Sequence, residues 1–457
     1  MASFSEKYAN GFRKFLPTPF TIAIILTLIV FGIAYKWGNI NDANRLVDIS
    51  NSWYNGVWNT GGMKFAMQMM LMLLLGHVIA LSKPIDTALN YLAKFGTTTA
   101  KAAAIVAFST ILVSLFNWGL GLVFGAIFAY KVGVYANKHN IPINYPLVGA
   151  SGYTGLMVWH GGISGSAPIK ASDAGHIQSL VIDNELKQIA PDFIPASDTI
   201  FSSSNLITSL ALLIILPLFV YFLGTNVKPT KTPIQQKVLH SKKELNLIGA
   251  EKLDHSKWFG FFIGFLILFY LLVKVNGNVS SFSFLTPDFI NLSLLGLGLI
   301  FHRSISNFLL GIDKAIGGVS GILIQFPIYF GIMGIMKDTG LITNISEWFS
   351  SISSADSFPV MTFFSAGLLN IFVPSGGGQW AVQGPIIIET ALKNNISLSK
   401  TIMAMAYGDQ LTNMLQPFWA LPLLGITGLK AKDILPYTLL IMLVGLAIFV
   451  ISILFLW

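Results

Sequence analysis

Apolar residues along this chain run in unbroken blocks, not in the alternation of a strand or the single stripe of a surface helix. Blocks at 18–36, 63–81, 201–223, 258–275, 288–302, 317–336 and 434–457 approach the roughly 20 residues a helix needs to cross about 30 Å of hydrocarbon. Each predicts a full membrane span. Two stretches, 145–165 and 401–427, are interrupted by Gly, Pro and polar residues and predict broken spans. Two more, 102–135 and 358–391, break near the middle, at Asn117-Trp118-Gly119 and at Pro374-Ser375-Gly376-Gly377-Gly378. Their halves, about 15 residues each, are short for a crossing. They predict re-entrant hairpins with tips near the bilayer centre. The alternative, four short crossings, leaves the in/out parity of everything else unchanged. The expected fold class is an all-α polytopic membrane protein of about nine transmembrane helices plus two re-entrant hairpins. A β-barrel would show short alternating segments instead.

Composition narrows the function. The 457 residues are 54% hydrophobic and only 11% charged, with a mean hydropathy of +0.69. A soluble domain carries about 25% charged residues, so a soluble enzyme is excluded. So is a nucleic-acid-binding chain, despite the net charge of +8. The absence of cysteine removes disulfides, thiolate metal sites and cysteine nucleophiles. Seven histidines without metal-ligand spacing predict no metal site. No Walker loop, kinase set, nucleophile elbow or cofactor motif is visible, so no enzyme and no cofactor are expected. Arg13 and Lys14 precede an apolar run with no small-residue cleavage site. That run reads as the first span, not as a signal peptide.

Charge also sets orientation. Lys228, Lys231, Lys237, Lys242, Lys243, Lys252 and Lys257 mark 224–257 as a basic cytoplasmic linker. Asp173, Asp183, Glu185, Asp192 and Asp198 mark 168–199 as an external segment. The N-terminus then lies in the cytoplasm and the C-terminus outside a bacterial inner membrane. The linker separates an N-terminal half, 1–223, from a C-terminal half, 258–457. Each half repeats one order: span, broken apolar stretch, short polar loop, broken span, full span. The first half adds an extra first helix. An offset of about 256 residues superposes Gly121 on Gly377 and Gly152 on Gly408. The first hairpin would open from the cytoplasm and the second from outside. That is an inverted-topology repeat, an architecture that holds transporter sites at the midplane.

Candidate chemistry sits at the breaks. Gly376, Gly377 and Gly378 let backbone N–H groups turn toward a ligand. A half-helix beginning near Gln379 would aim its positive end there, and Ser375 and Gln379 add side-chain hydrogen bonds. Together they predict a cradle for a small anion, with Trp380 beside its apolar part. Asn117, Trp118 and Gly119 form the mirror element. Asp409, Asn413 and Gln416 fall at i, i+4 and i+7, one helix face. Asp409 is the one carboxylate expected deep in the bilayer, where an acid defaults to a functional role. It could take a proton, or ligate Na⁺ with nearby carbonyls. His160 could bind the substrate carboxylate or carry a proton.

The segments Val373 to Pro385, Asn117 to Ala126 and Gly155 to Gly162 resemble the bacterial short-chain fatty acid transporter family. That family is similar to the wider ion-transporter superfamily. The resemblance implies paired inverted repeats, re-entrant hairpins, homodimers in several members and elevator-like movement. It also implies anionic substrates, often carboxylates, with H⁺ or Na⁺ coupling. The expected function is secondary active transport of short-chain monocarboxylates such as butyrate or acetoacetate. A cation/proton antiporter or dicarboxylate carrier of the same superfamily is the alternative. The expected partners are the carboxylate, the coupling ion and the lipid bilayer, with no nucleic acid.

Overall fold

Uninterrupted apolar runs become helices in the computed structural model, which describes residues 17–40, 42–181, 183–230, 249–275, 284 and 286–457. Residues 231–248 of the expected basic linker lie outside the described residues. The first half contains α1 (Pro19–Trp37), α2 (Arg45–Val57), α3 (Thr60–Ala80), α4 (Lys83–Ala93), α5 (Thr99–Phe116), α6 (Trp118–Lys138) and α7 (Ser203–Thr225). Between α6 and α7 the chain makes only short turns of helix. The second half contains α8 (Lys257–Val275), α9 (Pro287–His302), α10 (Ile305–Ala315), α11 (Ser320–Asp338) and α12 (Leu341–Ser351). It continues with α13 (Phe358–Phe372), α14 (Gly376–Lys393), α15 (Leu398–Thr412), α16 (Pro417–Thr427) and α17 (Ala431–Phe455). Among the described residues no strand forms, and eight helical stretches are long and apolar enough to cross a membrane. The run expected as a span at 288–302 forms α9, whose 16 residues fall short of that length.

Four helices were not legible as apolar runs: α2, α4, α10 and α12. Each is amphipathic and buries one stripe, such as Ile49, Ser52 and Gly56 on α2 or Phe308, Gly311 and Ala315 on α10. That stripe follows the 3.6-residue period of a helix packed on one side. Two of them, α2 and α10, belong to an exchanged frame: α1 and α2 pack against α11, while α9 and α10 pack against α3. Small residues set the α2–α11 contact. A Cβ on Gly56 would lie 2.4 Å from the Phe330 carbonyl oxygen, and one on Gly334 would lie 2.4 Å from that of Ser52. With no hydrophobic force between helices in lipid, such backbone approach supplies the attraction.

Inside this frame, α5 packs on α7, α13 on α15, and α6 on α16. Gly125 and Gly152 touch backbone to backbone; a Cβ on Gly125 would meet the Gly152 carbonyl oxygen at 2.1 Å. Ends of the hairpin helices are tied down by charge. Lys131 of α6 is buried and pairs with Asp86 of α4. Glu389 of α14 accepts the Asp183 N–H at 3.1 Å. Outward faces are apolar, as on α8, where Phe262, Phe265, Phe269 and Leu272 are exposed.

Leucine at Gly56 or Gly334 is expected to cost about 1–3 kcal/mol by overpacking. Thermal unfolding of the purified protein in detergent should then shift down by several degrees. Gly32→Ala, where a Cβ meets nothing within 4 Å, should leave the midpoint unchanged.

Candidate functional site

Each stretch expected as a hairpin breaks at a capping residue, but the halves of the first, α5 and α6, are 18 and 21 residues long and each is apolar enough to cross a membrane. Asn117 stands in extended conformation before α6, and its Oδ1 accepts the N–H groups of Gly119 and Leu120 at 3.0 Å each. Ser164 Oγ accepts the Trp118 N–H at 3.0 Å. The first turn of α6 is thus satisfied within the protein. At the second tip, Ser375 Oγ accepts the Gly378 N–H at 3.1 Å. Among the described residues, the N–H groups of Gly376 and Gly377 have no acceptor. They are first-turn donors at the positive end of an 18-residue helix.

The two broken spans meet side by side. Tyr153 O–H reaches the carbonyls of Asn413 and Gln416 at 3.0 and 3.1 Å. Gln410 Oε1 accepts the His160 N–H at 2.8 Å and that of Gly161 at 3.3 Å. His160 Nε2 accepts the Ala167 N–H at 3.0 Å, which leaves the ring proton on Nδ1. Nδ1 donates to Asp409 Oδ2 at 2.6 Å, with both side chains buried. The other oxygen, Asp409 Oδ1, is buried without a hydrogen-bond partner.

Asn370 of α13 binds the second break together. Its Nδ2 lies 2.7 Å from the Asp409 carbonyl oxygen and 2.9 Å from Asn413 Oδ1, and its own carbonyl accepts from Gln416 Nε2. Gln379 donates to the Ala366 carbonyl at 2.9 Å and to Gln383 Oε1 at 3.0 Å. Its Oε1 and that of Gln416 have no partner. No cluster of three His, Asp or Glu side chains that could hold a metal occurs among the described residues.

A cavity of about 60 Å³ opens between the tips. Ser166, Ser375, Gly376 and Gly377 line it together with Phe65, Trp118, Leu156, Trp159 and Trp419. The apolar part of the lining draws on α3, α6, α16 and the first broken span. Trp118 and Trp419 pack edge to face at 5.3 Å, and Phe65 lies 6.1 Å from each of them. Trp159 stacks on His160 at 4.4 Å, and its indole N–H has no acceptor. No Lys or Arg lines this cavity. A larger cleft of about 340 Å³ at Glu251, Asp254, His255 and Asp313 carries three carboxylates, which repel an anion.

Gly376 is where the tip and the Asp–His pair touch. A Cβ there would sit 2.7 Å from a Trp159 ring carbon, 2.8 Å from His160 Cε1 and 3.2 Å from Asp409 Oδ2. Only glycine fits. At Gly377 a Cβ would meet only Ser166, at 3.8 Å across the cavity.

Of the residues singled out in the sequence, Trp118, Ser375, Gly376 and Gly377 line the cavity, and His160 and Asp409 adjoin it. Asn117 caps α6, and Gly119 packs against Met72. Gly378 donates to Ser375, Gln379 braces the second hairpin, and Asn413 and Gln416 brace the second break. Trp380 is buried a turn further down α14 and does not line the cavity; its Nε1–H donates to His176 Nε2 at 2.9 Å. Phe65, Leu156, Trp159, Ser166 and Trp419 were missed. Trp159 stood directly before His160, and Asn370 was a lone amide in an apolar run. Those were the available signals.

Gly376→Ala is expected to displace the tip and abolish transport with loss of stability. Gly377→Ala should keep the thermal midpoint while cutting transport several-fold, because its methyl group enters the cavity. Parallel uptake and unfolding measurements check the split. A second expectation concerns His176, in the segment between the broken span and α7. Burial first, and Lys170 second, lower its pKa, while Asp173 raises it. The neutral ring that accepts from Trp380 is therefore favoured, and its stabilisation is complete above the ordinary value of about 6.5. It is lost as pH falls below that value. Limited proteolysis of residues 166–199 should accelerate at pH 5. His176→Gln, which keeps an acceptor but cannot titrate, should remove the acid sensitivity.

The sequence profile described as "Short chain fatty acid transporter" matches residues 1–456. A protein of Haemophilus influenzae, provisionally described as a short-chain fatty acid transporter, is 37% identical over 450 residues, covering 97% of each chain. One of Escherichia coli K12 with the same description is 36% identical over 447 residues, covering 96% of each. Among solved structures, the Alcanivorax borkumensis YdaH transporter matches with a TM-score of 0.45 at 14% identity, covering 96% of this chain and 99% of that one. Neisseria gonorrhoeae MtrF, from a class of antimetabolite efflux pumps, gives 0.42 at 14%, covering 96% and 95%. At that distance neither bears on this chain's site or cargo. The sequence match spans nearly the whole chain: this multi-pass membrane protein belongs to the short-chain fatty acid transporter family.

Proposed function

We propose that the chain is a secondary active transporter of short-chain monocarboxylate anions such as butyrate or acetoacetate, coupled to H⁺ or Na⁺. The observation that carries this reading is the mixed lining of the cavity. Gly376 and Gly377, whose N–H groups find no acceptor among the described residues, line it with Ser375, Ser166 and a set of aromatic rings. Stripping water from a small anion is costly unless fixed donors replace it. A helix N-terminus supplies such donors, preorganised and at partial positive charge. The rings accept an aliphatic chain of a few carbons. A single negative charge suits a site without a cationic side chain, whereas a dicarboxylate would call for one. The names given to the relatives support the same substrate class.

Coupling follows from charge at close range. The carboxylate bound at Gly376 would lie beside Asp409 Oδ2. Two anions cannot share that apolar space, so the substrate binds when Asp409 is neutralised by an ion. Each then raises the other's affinity, as linkage requires.

We read the two halves, 1–223 and 258–457, as an inverted repeat with alternating access at their interface. The N-terminus would be cytoplasmic and the C-terminus external. The order of elements supports it. From α3 to α7 the chain runs long helix, amphipathic helix, hairpin, broken span, long helix; from α11 to α17 it does so again. The exchanged frame extends the match, with α1–α2 answering α9–α10 and α8 left over.

Uptake of labelled C2 to C6 acids into proteoliposomes under imposed H⁺ and Na⁺ gradients tests the proposal. Butyrate should accumulate and succinate should not. Accumulation of succinate, or cation exchange without any acid, would favour the alternative. Trp419→Ala should move the preferred chain length up by one or two carbons. Asp409→Asn should abolish uphill uptake while leaving exchange measurable.

A further inference from the structure

We propose that the coupling ion is a proton carried by Asp409, and that the Ala167 backbone amide keeps it there by locking His160 in its neutral form. This rests on the transport reading above and specifies how the same site is regulated.

The pair has two places for a proton. One is Asp409 Oδ1, buried and without a partner. The other is His160 Nε2, and that lone pair is already used by the Ala167 N–H at 3.0 Å. Protonating Nε2 would set two donors against each other and break this bond. A proton arriving from solution therefore adds to Oδ1, turning the carboxylate into a neutral acid; nothing else is made or broken. His160 stays neutral with Nδ1–H on Oδ2. It acts as a positioning residue, in the way a fixed tautomer orients a histidine beside a carboxylate.

Among the described residues no other charge faces the pair. Of the elements packed on His160, α15 presents Asp409 and the uncharged Gln410, α14 presents Gly376, and α5 meets this turn at Leu115, far from its one charged residue, exposed Lys101. Asn205 of α7 holds the Gly161 carbonyl and accepts from Tyr407 O–H. Lys170, on the short helix that carries Ala167, is paired with exposed Asp173. The Ala167 amide is thus the one group that decides which partner takes the proton.

The test uses the full chain in proteoliposomes, reading butyrate uptake and butyrate counterflow from pH 5.5 to 8.5. Ala167→Pro removes the amide proton in the first helical turn, where proline is tolerated. His160 Nε2 then keeps a free lone pair, a second place for the proton. The pH midpoint of driven uptake should move to higher pH, with counterflow retained. Ala167→Gly, which keeps the N–H, should match the native profile. Asp409→Asn should lose pH-driven uptake and keep counterflow. An unchanged midpoint in Ala167→Pro, retained pH drive in Asp409→Asn, or uptake driven by a Na⁺ gradient alone would overturn the proposal.

A readout independent of transport separates this from failure of the substrate reading. In ¹⁵N-histidine NMR of the purified protein, the signal lost in His160→Gln should be a neutral ring protonated at Nδ1. It should become doubly protonated at higher pH in Ala167→Pro. A native spectrum with Nε2 protonated at pH 7 would overturn the lock even if no acid were transported.

Discussion

Broken backbone at membrane depth has no water to turn to, so its donors and acceptors must be met from within the protein. Here each half meets the other's. Gln410 of the second broken span takes the amides of His160 and Gly161 in the first. Tyr153 of the first returns a hydroxyl to carbonyls of the second. Asn205 and Asn370 close the remaining gaps from neighbouring helices. Once these demands are met, Trp159 Nε1 and Asp409 Oδ1 are left without partners beside the cavity, and Gln379 Oε1, Asn413 Nδ2 and Gln416 Oε1 elsewhere in the second half.

No arginine or lysine lines this cavity. A fixed cation in hydrocarbon would have to be desolvated in every state. Peptide N–H groups bring partial charge with no ionisable group. Their cost is steric: only glycine admits Trp159, His160 and Asp409 within van der Waals distance of the same Cα. The first-turn N–H groups of α14 and the buried Asp409–His160 pair therefore meet at one residue, Gly376.

Much of this was legible in the sequence, and the rest was hidden for definable reasons. Uninterrupted apolar runs located most of the long helices, and polar residues inside such runs marked both breaks. The Ser375–Gly378 break and the buried Asp409 stand out because Gly, Ser and Asp are costly there. The amphipathic helices α2, α4, α10 and α12 were not, since half of each is polar and run length ignores a 3.6-residue stripe. Phe65 and Trp419 were not, because an aromatic ring in an apolar run looks like ordinary packing until helices from both halves converge. Trp380 was placed too near the tip: it lies a turn beyond the cavity, held by His176. Asn117 looked like a ligand and is a cap, a distinction that depends on local backbone conformation.

The exchanged frame bears on how the protein is made. The glycine face of α11 that receives α1 and α2 is encoded about 260 residues after them. At about 5–20 residues per second, the first two helices wait roughly 10–50 s in the bilayer before their packing surface is synthesised. Throughout that interval Gly56 and its neighbours present bare backbone to lipid. The N-terminal half thus enters the membrane as an unfinished surface, dependent on insertion machinery or lipid to shield it, and the fold closes only when the second half arrives.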